Sequence, residues 1–286
     1  MNVYLVLSIQ ILVASATHIV AKSVVGDVDA VTLTFLRGVV SVVGLCGIVA
    51  VRGRWVHIAR GDRWPLVFLG FLGTINQLLY LYGLRFTTAA NAALLYASTP
   101  VFVLILSALM LGERMTLVRT IGILVAFFGV LIVIFERGVS LTSEYTIGNL
   151  IILVAVLAWA LFTILGKRQV MTYGALQATV AASVAGTALL APFGLFSTMA
   201  SSVGSYTVTD WSGILYLGIG TSVVGYLLWY YALRRIDASR LAVFANGQPI
   251  VATILSVIFL GATISPQFLV GATITLAGVV VTQRKR

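Results

Sequence analysis

Ten times along this chain an apolar run reaches the length at which a helix crosses a hydrocarbon core, roughly 18 to 24 residues for a core of about 30 Å. The runs lie near Tyr4 to Ala21, Thr32 to Val51, Trp64 to Leu84, Ala89 to Leu111, Val118 to Phe135, Gly148 to Leu165, Ala175 to Phe196, Ser212 to Leu233, Leu241 to Leu260 and Phe268 to Thr282. A backbone in lipid must satisfy its own hydrogen bonds, so such segments are restricted to helices. The last run is short, and a modest tilt or local thinning makes up the difference. With 60% hydrophobic and only 9% charged residues, too little polar surface is left to cover a water-soluble body. The first run has no Lys or Arg before it and no small-residue cleavage site leading into a soluble domain, so it reads as a retained helix.

The net charge of +10 would suggest nucleic acid in a water-soluble protein, but sorting the charges by loop gives it another meaning. With both termini in the cytoplasm, fourteen of the eighteen Lys and Arg fall in cytoplasmic segments. Lys22, Arg85 and Arg137 face the other side, and Arg37 lies within the second run. This bias sets the expected orientation, multi-pass in a bacterial inner membrane, and no nucleic acid is needed to explain the charge. Cys46, alone in an apolar run, leaves no intrachain disulfide and no cysteine metal site, and no cofactor is expected.

Sliding the chain against itself by 149 residues aligns Tyr82-Gly83-Leu84-Arg85 with Tyr231-Ala232-Leu233-Arg234, and the register continues without a gap. Ala89 meets Ala238, Pro100 meets Pro249, Ile105-Leu106-Ser107 meets Ile254-Leu255-Ser256, Leu111-Gly112 meets Leu260-Gly261, and Gly122 and Gly129 meet Gly271 and Gly278. A weaker offset of 145 sets Ala14 over Trp159 and His18 over Thr163. Each half then holds five helices, and because five is odd the second half enters the membrane inverted. The expected fold is all-α and integral to the membrane. Ten transmembrane helices form two inverted five-helix repeats, residues 1–138 and 139–286, around a central cavity, a route to alternating access.

These residues resemble the drug/metabolite transporter superfamily in its ten-helix form with two tandem EamA domains. The resemblance is carried by Phe35-Leu36-Arg37, Tyr82-Gly83-Leu84-Arg85, the Pro100 helix, Leu111-Gly112-Glu113, the Gly122 and Gly129 pair, and Gly148-Asn149-Leu150 opening the second half. The second half departs from the pattern with Ala262 where an acid is expected, leaving any role of that acid to Glu113. Within the superfamily the chain looks most like bacterial metabolite exporters, the YddG-type amino-acid exporters among them. The resemblance tips the expected substrate toward amino acids.

Polar side chains at bilayer depth are costly and usually face a cavity or a partner. On the third run Gly73, Asn76, Gln77 and Tyr80 share one helical face, and their counterparts 149 residues on are Ser222, Gly225, Tyr226 and Trp229. Amide, hydroxyl and aromatic groups at matching depth suit an amphipathic solute, or else serve as glue between helices. Pro100 and Pro249 each remove a helical hydrogen bond, freeing the carbonyls of Tyr96 and Ala245 near Ser98, Thr99, Asn246 and Gln248. They read as hinges or as packing kinks. His18, on the face of Ala14 and Gln10, is either a substrate contact or proton switch, or a neutral group bonded to a neighbouring helix, and its counterpart Thr163 shares a face with Trp159. Arg37 is placed to snorkel to the nearby surface as an anchor, and Glu113 to form a surface ion pair with Arg114 or Arg119.

The expected function is export of small polar metabolites by facilitated efflux or exchange. No Asp or Glu lies deep in a run, so proton antiport of drugs or other metabolites, the alternative, would have to use His18 or the substrate's own ionisation. A channel would need a continuous polar lining, and an enzyme a nucleophile with its base or a metal cluster; neither pattern is present. The partners expected are a small-molecule substrate and the lipid bilayer, with the chain a monomer or weak homodimer.

Overall fold

The computed structural model describes residues 2–53, 57–87, 89–135, 143–201, 203–251, 254 and 265–283, apart from the side chains at 18, 89, 90, 93, 134 and 143. Among the described residues every regular element is a helix. Helix α1 (Val3–Val24) starts where Asn2 accepts the Tyr4 amide at 3.0 Å. Helix α2 (Ala30–Arg52) starts on Asp29, which accepts from Val31 and Thr32, and stops at Gly53 in the left-handed region that favours glycine. The chain continues through α3 (Arg63–Gly83), α4 (Ala89–Ala97), α5 (Thr99–Leu111) and α6 (Leu117–Phe135). After α7 (Thr146–Ala200) come α8 (Val208–Leu215), a π-helical stretch over Tyr216–Gly225 and α9 (Tyr226–Leu233). A short α10 (Ala238–Ala242) leads into a 3-10 turn over Val243–Gly247, and α11 (Pro266–Gln283) is the last helix.

Seven helices among the described residues are long and apolar enough to cross a membrane, which fits a multi-pass membrane protein, against the ten runs expected. The difference has local causes. Helix α7 absorbs two runs: its 55 residues as one rod would measure about 80 Å, but Gly174, at φ 79° and ψ 166°, breaks it. Phe162 and Thr187 on either side of that break line one cavity, so the two arms fold back beside each other. Helix α6, 19 residues long, matches the fifth run, and the part of it covered by the described side chains runs over Leu117–Val133. Most of the ninth run, with Ile254-Leu255-Ser256 and Leu260-Gly261 of the repeat, lies outside the described residues, as does the boundary at 138 and 139.

Small residues set the helix contacts. Helix α3 lies against α7 where Gly70 meets Gly186, and α6 lies against α11 where glycines meet crosswise. A methyl on Gly129 would stand 2.8 Å from the Gly271 carbonyl, and one on Gly278 would stand 2.7 Å from the Gly122 carbonyl. With lipid as apolar as the side chains, such backbone approach is what binds helices together. The two prolines do not leave bare carbonyls. The Thr99 hydroxyl donates to the Tyr96 carbonyl at 2.6 Å, and the 3-10 turn brings the Gln248 amide onto the Ala245 carbonyl. The helical hydrogen bonds that Pro100 and Pro249 remove are thus replaced locally.

Gly278→Val should destabilise the protein by about 1–3 kcal/mol through forced separation of α6 and α11, read as a lower unfolding midpoint in detergent. The Asp29 carboxyl gives a pH-dependent counterpart. Burial would raise its pKa, but the Val31 amide, the Ser197 hydroxyl, the Thr32 amide and Arg85 together hold it below the ordinary aspartate value. A carboxyl depressed on folding contributes stability that is present above its unfolded pKa of about 3.9 and lost as pH falls through the lower folded value. Acid titration should therefore destabilise wild type more than Asp29→Asn.

Candidate functional site

A cavity of about 470 Å³, counting its open mouth, lies between α2, α3, both arms of α7 and the π-helical stretch. From α2 it takes Thr34, Gly38 and Ser41, and from α3 Gly70, Gly73, Thr74 and Gln77. The second arm of α7 adds Thr179, Ser183 and Thr187 at four-residue spacing, a hydroxyl stripe on one helical face. Phe162, Ser222 and Tyr226 complete the polar and aromatic wall. The π-helical stretch brings Ser222 there: its hydroxyl donates to the Leu217 carbonyl five residues back, at 3.0 Å, and it accepts from Arg37. Single π turns of this kind re-aim side chains and recur at functional sites.

One wall is aromatic. Phe162 stacks on Trp159 at 5.4 Å and on Tyr230 at 5.3 Å, while Tyr226 tilts against both Phe162 and Trp159 at 5.6 Å. Trp229 lies behind Trp159 at 5.4 Å, fully buried, and its indole N–H has no partner among the described residues. Across the cavity Gln77 donates its amide to the Tyr226 hydroxyl at 2.8 Å, joining two residues 149 apart in sequence. The site thus offers neutral donors and acceptors beside an aromatic surface, enough to hold an amphipathic solute.

Of the residues singled out in the sequence, the structure brings Gln77 and Tyr226 to the cavity wall, with Trp159 and Trp229 supporting it. Asn76 instead joins helices, donating to the Tyr96 hydroxyl and the Ala155 carbonyl, each at 2.7 Å, and Tyr80 stands edge-on to Tyr96 at 5.3 Å. Thr163 is fully buried near the aromatic cluster. Ser98 donates to the Leu95 carbonyl at the α4 to α5 break, and neither it nor Asn246 nor Gln248 belongs to the wall. The Asn246 amide is buried, and the Gln248 carbonyl accepts from Ser15 at 3.1 Å. The side chain of His18 lies outside the described residues. The sequence reading missed Thr34, Ser41 and the 179, 183, 187 stripe, although their spacing of three and four was visible.

Two charged residues depart from expectation. Arg37 does not snorkel: it is 3% exposed, enclosed between α2 and the π-helical stretch, with one guanidinium nitrogen 3.0 Å from the Ser222 hydroxyl. Glu113 is not a surface residue. Its carboxylate accepts from the Ala238 amide at 2.8 Å and the Ser239 hydroxyl at 2.8 Å, and pairs with Arg119 at 3.7 Å and Lys167 at 3.9 Å. Arg119 also reaches Asp237 at 2.8 Å, and the Lys167 ammonium donates to the Ile236 carbonyl. Among the described residues no cluster of side chains is suited to a metal ion.

Multiple apolar helices enclosing a polar cavity form the architecture of a membrane transporter, and known sequences agree. The chain belongs to the EamA-like transporter family of the drug/metabolite transporter superfamily, whose profile matches residues 1–135 and again 146–284. It is 30% identical over 283 residues to the uncharacterized transporter YyaM of Bacillus subtilis, covering 98% of this chain and 92% of that protein. It is likewise 30% identical over 232 residues, 80% of this chain and 76% of the other, to a probable terminal-alkyne amino-acid exporter of Streptantibioticus cattleyicolor. A solved crystal structure that is 21% identical superposes with a TM-score of 0.80 over 98% of this chain and 97% of that one, which establishes the shared fold.

Removing one member of a buried charge network leaves the others uncompensated, at a cost of about 3–5 kcal/mol. Glu113→Ala should lower the unfolding midpoint in detergent accordingly. Glu144→Ala, at an exposed residue that makes no ion pair among the described residues, should leave it within about 0.5 kcal/mol of wild type.

Proposed function

We propose that the chain exports small polar metabolites, amino acids foremost, from the cytoplasm across a bacterial inner membrane, by facilitated efflux or exchange. The observation that carries this reading is the cavity bridged by Gln77 and Tyr226. These two residues occupy the same place in the 149-residue repeat, and equivalent residues of two related halves meet only near the axis that relates them. The crosswise contacts of Gly122 with Gly278 and of Gly129 with Gly271 obey the same exchange, each glycine meeting the counterpart of the other. Both support two inverted five-helix halves that open in turn to either side of the site. The amide, hydroxyl and aromatic groups of the wall suit a small amphipathic solute, and the relative named as an amino-acid exporter supports that substrate class. No carboxylate lines the cavity among the described residues, which favours transport down a gradient over proton antiport.

The test is counterflow of a radiolabelled amino-acid panel in proteoliposomes, with and without a pH gradient. Wild type should show saturable exchange insensitive to the gradient. Gln77→Ala should reduce it by about tenfold, the loss expected for one hydrogen bond at a binding site. Absence of exchange for every member by correctly inserted protein would overturn the amino-acid reading, and flux that never saturates would point to a channel.

A further inference from the structure

Arg37 stands out because nothing among the described residues neutralises it. The molecule shows what a structural buried arginine looks like in Arg119, which is 8% exposed and held by Asp237 at 2.8 Å and Glu113 at 3.7 Å. Arg37 is more deeply buried, at 3%, yet among the described residues it takes part in no ion pair. The sequence explains why. All eight acids, Asp27, Asp29, Asp62, Glu113, Glu136, Glu144, Asp210 and Asp237, lie outside the ten apolar runs, whereas Arg37 lies well inside one. A guanidinium keeps its charge in proteins, and burying it without a counter-charge costs several kcal/mol. A chain that maintains that cost beside a cavity has a use for the free positive charge.

The surroundings specify that use. Thr34 and Ser41, one turn to either side of Arg37 on α2, line the cavity with the adjacent Gly38, and so does Ser222, which binds one of its terminal nitrogens. The Ser222 hydroxyl spends its proton on Leu217, so it fixes the guanidinium in place. The Arg37 Nε and the Ser41 hydroxyl, the latter 1% exposed, have no partner among the described residues. A guanidinium edge with a free Nε–H and a nearby hydroxyl matches the two oxygens of a carboxylate. Phe162 and Tyr226 face the same space and offer apolar contact to the rest of such a solute. No acid on the wall matches an ammonium group, for which only neutral acceptors remain.

We propose that Arg37 is the anion-recognition residue of this cavity, and that the site takes monocarboxylates with an apolar or aromatic tail, for which an amino group is dispensable. One unpaired positive charge matches one negative charge, so a dianion such as a phosphate monoester fits worse. The inference rests on the cavity being the substrate site, and it narrows the substrate class from amino acids in general to whatever presents that carboxylate.

Binding to the purified full chain, followed by thermal stabilisation and tryptophan fluorescence, tests it separately from transport. The probes are L-phenylalanine, 3-phenyllactate, which lacks the amino group, L-phenylalaninamide, which lacks the carboxylate, and phenyl phosphate. Phenylalanine and phenyllactate should bind within about tenfold of each other, and the amide and the phosphate at least about tenfold more weakly. Arg37→Gln should weaken both carboxylates by about 10- to 100-fold, with Arg37→Lys partly restoring them. Because Arg37→Gln could misfold, Ser222→Ala, which frees the guanidinium to move, supplies a second variant expected to weaken the same two ligands. An amide that binds as well as the acid, or unchanged carboxylate affinity in a folded Arg37→Gln, would overturn the assignment. Carboxylate-selective binding without amino-acid counterflow would uphold Arg37 as the anion site while overturning the amino-acid export reading.

Discussion

A bilayer core holds no water to take up a stray hydrogen bond, so each peptide group must find its partner inside the chain. That requirement would reduce the protein to smooth helices, and a bundle of smooth helices has no site. The structure departs from the α-helix at a few positions, and at three of them a local group bonds the carbonyl concerned. Thr99 covers the Tyr96 carbonyl ahead of Pro100, the 3-10 turn covers Ala245 ahead of Pro249, and Ser222 covers Leu217 within the π-helical stretch. The last of these is the most consequential, because it orients Ser222 and Tyr226 into the cavity and gives Arg37 its one hydroxyl partner.

The same economy governs packing. In lipid, burying an apolar side chain gains little, and association depends on how closely backbones approach. Glycine is used for this at Gly70 with Gly186 and along the α6 to α11 seam. It serves differently at Gly174, whose positive φ breaks what would be a helix too long for any membrane. Between α2, α3 and the second arm of α7 small hydroxyl residues line the space that remains, and that space is the cavity.

Much of this was legible in the sequence. Apolar run length announces membrane helices, and the 149-residue register pairs Gln77 with Tyr226 before any coordinate is known. The runs ending at Leu165 and starting at Ala175 mark two helices, and the break between them falls at Gly174, although run boundaries do not say which residue turns the backbone. The site was half legible. Asn, Gln and aromatic residues attract attention at bilayer depth, and Gln77, Tyr226 and Trp159 were found that way. Thr and Ser do not, since they return their hydroxyls to helix carbonyls and are cheap in lipid, so the 179, 183, 187 stripe went unread. Arg37 was misread because its distance from a helix end permits snorkelling, and only the packing of α2 against the π-helical stretch shows that its path to the surface is closed.

The Glu113 network has a further consequence. One carboxylate holds the amide that opens α10, a hydroxyl on α10, a cation from α6 and a cation from α7. Ala238 and Ser239 lean on this one acceptor, so drawing the carboxylate away from the turn at 236–240 gives up both bonds together, while Arg119 and Lys167 keep their own hold on that turn through Asp237 and the Ile236 carbonyl.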